Sequence, residues 1–154
     1  ARLEPWSEAP GVERLVGVYI SAPMIEQATE LARRAGVADR CEFRHLDFIH
    51  LPRGERYDLV GAVGLFDYVL DAGSVLAHMA SFAEKVVYGS FPGWTLVRSP
   101  LRKLRYALRG CPTHFYRRGE IAGLLEGLKF GTVQVQPVPS GHLAWTARPA
   151  LAPS

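Results

Sequence analysis

The segment CPTHFYRR, residues 111–118, places His114 and Tyr116 two positions apart. An imidazole and a phenol are the side chains to look for where an acceptor must lose a proton as it reacts. The competing reading of a lone histidine is a partly exposed structural residue. Nothing else in the chain suggests a catalytic triad. Cys41 and Cys111 are the only cysteines, and neither lies in a CxxC or Cys/His spacing, which argues for reduced thiols over a disulfide or zinc site. Seven of the 18 basic residues, Arg98, Arg102, Lys103, Arg105, Arg109, Arg117 and Arg118, fall between Arg98 and Arg118 with no acidic residue among them. The net charge of +3 therefore conceals an otherwise acidic chain. A charge confined to one segment fits one local anionic partner as readily as nucleic acid.

Within that tract Leu101, Leu104 and Leu108 keep helical spacing while Arg102, Arg105 and Arg109 share another face, so the spacing predicts an amphipathic basic helix over residues 99–109. Arg102 and Arg105 are the candidate contacts to an anionic substrate. A solvated helix face and contact with a membrane surface are the competing readings.

The elements that must position these groups follow from periodicity. At 154 residues and 48% hydrophobic content, one globular domain is expected over residues 1–154, with the basic tract as a helical insertion at about 93–117. Apolar runs such as LVGAVGLF fall far short of the roughly 20 residues that cross a bilayer, and no signal pattern opens the chain, so a cytoplasmic location is expected. Leu15 to Ile20 is an apolar, β-branched strand. Pro23 to Ala35 is a helix packing through Met24, Ala28, Leu31, Ala32 and Ala35, and Gly36 caps it. Further strands are expected at Cys41–Phe48, Tyr57–Leu65 and Lys85–Phe91, with helices at Ser74–Phe82 and Arg118–Leu128. This alternation requires right-handed crossovers and a mainly parallel sheet. TVQVQPV and HLAWTAR are joined by only Pro139, Ser140 and Gly141, too few residues for a parallel crossover, so an antiparallel hairpin closes the sheet.

A parallel sheet ended by such a hairpin resembles the class I S-adenosylmethionine-dependent methyltransferases. LVGVYISAPMIEQA is similar to the second strand and helix of that family, CEFRHLDF to the third strand with its aspartate, and YDLVGAVGLFDYVLD to the fourth strand and its loop. KVVYGSFP is similar to the fifth strand and the last hairpin to the sixth and seventh. The resemblance implies a Rossmann-like fold with strand order 3-2-1-4-5-7-6 and S-adenosylmethionine as cofactor. Since an insertion after the fifth strand commonly caps the acceptor site in that family, the basic tract points to a small, anionic methyl acceptor as partner. The resemblance also implies roles. Tyr19 and Ile20 would meet the ribose, Asp47 and Phe48 the adenine, Gly64 and Leu65 the methionine part, and Asp67 and Tyr68 the substrate.

Two departures qualify it. Where the family places an acidic residue that grips both ribose hydroxyls stands Tyr19, whose phenol offers one hydrogen bond or a stacking face. Upstream of Gly11, where the first strand and glycine-rich loop are expected, ARLEPWSEAP holds no glycine. A central strand cannot be absent without stranding buried backbone groups. The expectation is a break between Ala1 and Gly11, with Cα atoms separated beyond the roughly 3.8 Å of a trans peptide. The alternative is direct pairing of the Leu15 and Tyr57 strands, or a borrowed strand. Three functions stay open: a small-molecule methyltransferase, an inactive relative serving in binding or homo-oligomerisation, and an RNA methyltransferase, which the basic tract permits although no NPPY-like motif or RNA module is present.

Overall fold

The structure, a computed structural model, describes residues 11–93 and 115–149. The expected break between Ala1 and Gly11, the basic helix at residues 99–109 and Cys111 lie outside the described residues. The backbone divides into two compact units, residues 1–52 and 53–154.

In the first unit, β1 (Leu15–Tyr19) leads through Ser21 into α1 (Ala22–Arg34), and β2 (Cys41–His45) returns beside β1. The two strands run parallel in register from Leu15 opposite Cys41 to Tyr19 opposite His45. Proline in the first turn starts α1 without losing a helical hydrogen bond. Gly36, at φ +70°, takes the left-handed turn that follows it. Ala28 and Ala32, one helical turn apart, are the fully buried contacts of α1. Met24 and Ala35 are corrections: Met24 is 40% exposed, and Ala35, exposed too, ends the helix as its C-cap, so both lie outside that packed stripe.

The expected strand to Phe48 stops at His45. Asp47 caps a single 3-10 turn, Phe48–His50, by accepting the Ile49 N–H at 3.2 Å, and this bends the chain out of the ladder.

The second unit carries β3 (Tyr57–Ala62), α2 (Ala72–Ala80), β4 (Ala83–Pro92), α3 (Arg118–Gly127), β5 (Thr132–Val138) and β6 (Gly141–Ala147). Its sheet has the order β3-β4-β6-β5. β3 and β4 are parallel, whereas β6 lies antiparallel between β4 and β5. The hairpin closes as its short connection requires, and the order matches the 4-5-7-6 half of the family pattern. Among the described residues β1 ladders with β2 and β3 with β4, each within its own unit.

α2 begins two residues earlier than its apolar spacing implies because Asp71 caps it, accepting the Ser74 N–H at 3.0 Å and the Ser74 hydroxyl. Glu120 reaches back to the Arg117 N–H at 3.3 Å and starts α3. Leu76 and Met79 of α2, Ile121 and Leu125 of α3, and Val87 and Ala144 of the sheet are fully buried. Burial of each large side chain among them contributes about 1.5–3 kcal/mol. No helix among the described residues is long and apolar enough to cross a membrane.

Candidate functional site

In parallel sheets ligands gather beyond the carboxyl ends of the strands, so the residues after β1, β2 and β3 matter most. Tyr19 is the last residue of β1, and its ring turns back along the strand onto Phe43, with ring centroids 6.4 Å apart. Gly17 makes this packing feasible, since a Cβ there would stand 2.8 Å from the Phe43 ring and 3.1 Å from that of Tyr19. The Tyr19 carbonyl accepts the Leu46 N–H at 3.1 Å, tying the ends of β1 and β2 together. Ile20 is 74% exposed, and its carbonyl lies 3.2 Å from His45 Nε2. Asp47 is exposed and commits one carboxylate oxygen to its cap, which leaves a carboxylate with acceptor capacity for a further donor. Phe48 is half-buried beside it.

In the second unit the chain leaves the β3 ladder at Ala62 and turns at Gly64, whose φ of +69° belongs to the left-handed region open to glycine. The Gly64 N–H donates to Ser90 Oγ at 2.9 Å. Leu65 is half-buried, and its carbonyl accepts the Tyr68 N–H at 3.1 Å, closing a turn that presents Asp67 and Tyr68. Between them Phe66 goes inward, fully buried, and stacks on Phe91 at 4.3 Å. A Cβ at Gly89 would meet Phe66 at 2.8 Å and Phe91 at 2.9 Å, so glycine is needed where the two rings cross β4.

Tyr116 closes the far side. Its ring meets Phe91 edge-on at 5.4 Å, and its hydroxyl donates to the Val69 carbonyl at 3.3 Å. The residue is 6% exposed. Burial pushes its phenol above the ordinary range, and the carboxylates of Glu120, Asp67 and Asp71 add to the shift. A buried phenol that already donates to a carbonyl is better suited to holding this loop than to taking a proton. His114, Arg102 and Arg105 lie outside the described residues.

Of the expected site residues, the fold brings Tyr19, Ile20, Asp47 and Phe48 to the strand ends of the first unit. Gly64, Leu65, Asp67 and Tyr68 come to one loop of the second, with Tyr116 beneath it. The supports of that loop, Phe66, Gly89, Ser90 and Phe91, were not singled out in the sequence. The one available signal was Gly89, since glycine inside a strand often marks a close approach.

A model of the methyltransferase domain matches residues 3–85, more than half of the chain. The chain belongs to the methyltransferase domain family. Solved structures share its fold. Magnesium protoporphyrin IX methyltransferase from Synechocystis PCC 6803, solved with bound SAH, superposes with a TM-score of 0.67 at 20% identity, over 88% of this chain and 64% of that one. An O-methyltransferase family 2 protein from Planctomyces limnophilus DSM 3776, in complex with apigenin, gives 0.68 at 19% identity, over 88% of this chain and 43% of the other. An O-methyltransferase family protein from Burkholderia thailandensis gives 0.62 at 15% identity, over 93% and 54%. The chain thus spans less than two thirds of each of these proteins. Of the order 3-2-1-4-5-7-6 that the resemblance implies, the second unit carries the 4-5-7-6 part, with β6 antiparallel, and the β1–β2 pair matches the neighbouring 3-2.

Proposed function

We propose that this methyltransferase domain serves S-adenosylmethionine-dependent methyl transfer to a small, anionic acceptor. The observation that carries the reading is the order β3-β4-β6-β5 with β6 antiparallel, found in a chain whose family match covers residues 3–85. Structural relatives of the same fold were solved with SAH and with apigenin, which supports a small-molecule acceptor over a polymer. The basic tract supplies the preference for an anion.

The residues fit the cofactor in part. Asp47, exposed and acceptor-rich, suits the adenine amine, and Phe48 the ring face. Gly64 brings backbone without a side chain to the methionine part, alongside Leu65. Ile20 and Tyr19 stand where the ribose is expected, and Tyr19 fits it least, because its ring lies on Phe43 and offers no paired acceptor. Asp67 and Tyr68 face the acceptor, with Arg102 and Arg105 countering its charge.

Methyl transfer asks these residues for alignment and exclusion of water more than for covalent chemistry. The cofactor supplies an electrophilic methyl group. His114 is the candidate to take the proton of an acceptor hydroxyl.

The turned Tyr19 ring favours a second reading, a cofactor-binding relative with little turnover. Calorimetric titration of the chain with S-adenosylhomocysteine, followed by an assay of S-adenosylhomocysteine release from S-adenosylmethionine with small aromatic carboxylic acids, tests both. Saturable binding with turnover is expected. Binding without turnover favours the second reading, and no heat with either compound overturns the cofactor assignment.

A further inference from the structure

Ser90 answers a question that the loop after β3 poses. The β3–β4 ladder ends with Ala62 opposite Gly89, so the Gly64 N–H lies two residues beyond the last paired position. A side chain fills the role, since Ser90 Oγ accepts that N–H at 2.9 Å. Successive residues of a strand point to opposite faces. Ser90 therefore holds the loop from one face of β4, and Phe91, stacked 4.3 Å from Phe66, holds it from the other. A third hold lies further along, where Tyr116 donates to the Val69 carbonyl. Gly64, at φ +69°, is the joint that lets the chain pass between the first two.

We propose that Ser90 is a positioning residue, which fixes the Gly64 backbone and through it the loop carrying Leu65, Asp67 and Tyr68 toward cofactor and acceptor. The consequence for the cofactor rests on the methyl-transfer reading. The fixing of the loop does not.

The test compares the full chain with Ser90→Ala and Ser90→Thr, by amide hydrogen exchange and by calorimetry with S-adenosylhomocysteine. In Ser90→Ala the Gly64 amide is expected to exchange at least about tenfold faster, with the amides of Leu59–Ala62 unchanged. S-adenosylhomocysteine affinity should fall about five- to tenfold, the worth of one net hydrogen bond. Ser90→Thr, which keeps the hydroxyl, should restore both. An unchanged Gly64 rate in Ser90→Ala overturns the proposal, and so does a rate that rises equally throughout β3, which would mark general destabilisation. Faster Gly64 exchange with undiminished affinity overturns the positioning of the cofactor. The expected exchange pattern in a chain that gives no heat with S-adenosylhomocysteine even as wild type sinks the methyl-transfer reading and leaves Ser90 as the anchor of the loop.

Discussion

Tyr19 shows how a single position can be legible in type yet not in direction. Its place at the end of β1 follows from the strand pattern, and its departure from an acidic residue is visible in VGVYIS. The turn of its ring onto Phe43, with Gly17 giving way beneath, depends on a neighbouring strand and is written nowhere in the local sequence. Two opposed effects should then separate on substitution. Tyr19→Asp restores a carboxylate able to accept two ribose hydroxyls, so S-adenosylhomocysteine affinity is expected to rise at least about tenfold, each charge-assisted bond contributing about 1.5–3 kcal/mol at best. The same change removes an aromatic contact of about 0.5–1.5 kcal/mol. The melting temperature should therefore fall, by about 2–4 °C for each kcal/mol lost. Calorimetry beside a melting curve reads both, and a variant that melts lower without binding more tightly would place the ribose away from β1.

At the scale of the element, one surface carboxylate braces α1 within itself and another braces the β1–β2 pair. Glu30 of α1 accepts from Arg33 and Arg34 and is held well below the carboxylate range, at about 2. Glu42 of β2 is held at about 2 by Arg44, on its own strand, and by Arg14, just before β1. In both, the folded state prefers the ionised form, so the stabilisation is present above the unfolded value near 4.5 and is lost as pH falls toward 2. Both side chains remain largely open to solvent, so the effect is small and screened by salt. Thermal melts between pH 5 and 2 should show a loss that shrinks in Glu42→Gln and at high salt. Equal acid sensitivity in that variant would remove Glu42 from the account. The elements themselves were largely legible, because strands such as KVVYGSF and the helix after Ser21 have strong periods. Boundaries moved where a short-range hydrogen bond overrode the period: Asp47 ended β2 early, and Asp71 began α2 early.

For the molecule as a whole, strand order was readable because the short Pro139–Gly141 connection leaves a hairpin as the one outcome, whereas contacts far apart in sequence, Gly64 with Ser90 and Phe66 with Phe91, had no local signature. Charge was readable too. If the tract from Arg98 to Arg118 receives an anionic acceptor, Arg102→Glu combined with Arg105→Glu should raise the acceptor's KM about tenfold or more and leave S-adenosylhomocysteine affinity within about twofold. A rise in KM that salt does not reproduce in the wild type would argue against an electrostatic role. The place of β6 between β4 and β5 carries one more consequence, which concerns the protein's birth on the ribosome. β6 follows both β4 and β5 along the chain, yet it supplies the antiparallel partner for Val86–Pro92. A nascent chain therefore emerges with β4 finished on one side and open on the other, and stays so until β6 clears the exit tunnel. Any stall before Gly141 leaves the apolar run VVYGSF with a bare edge, the kind of surface that chaperones bind and that other unfinished chains add to.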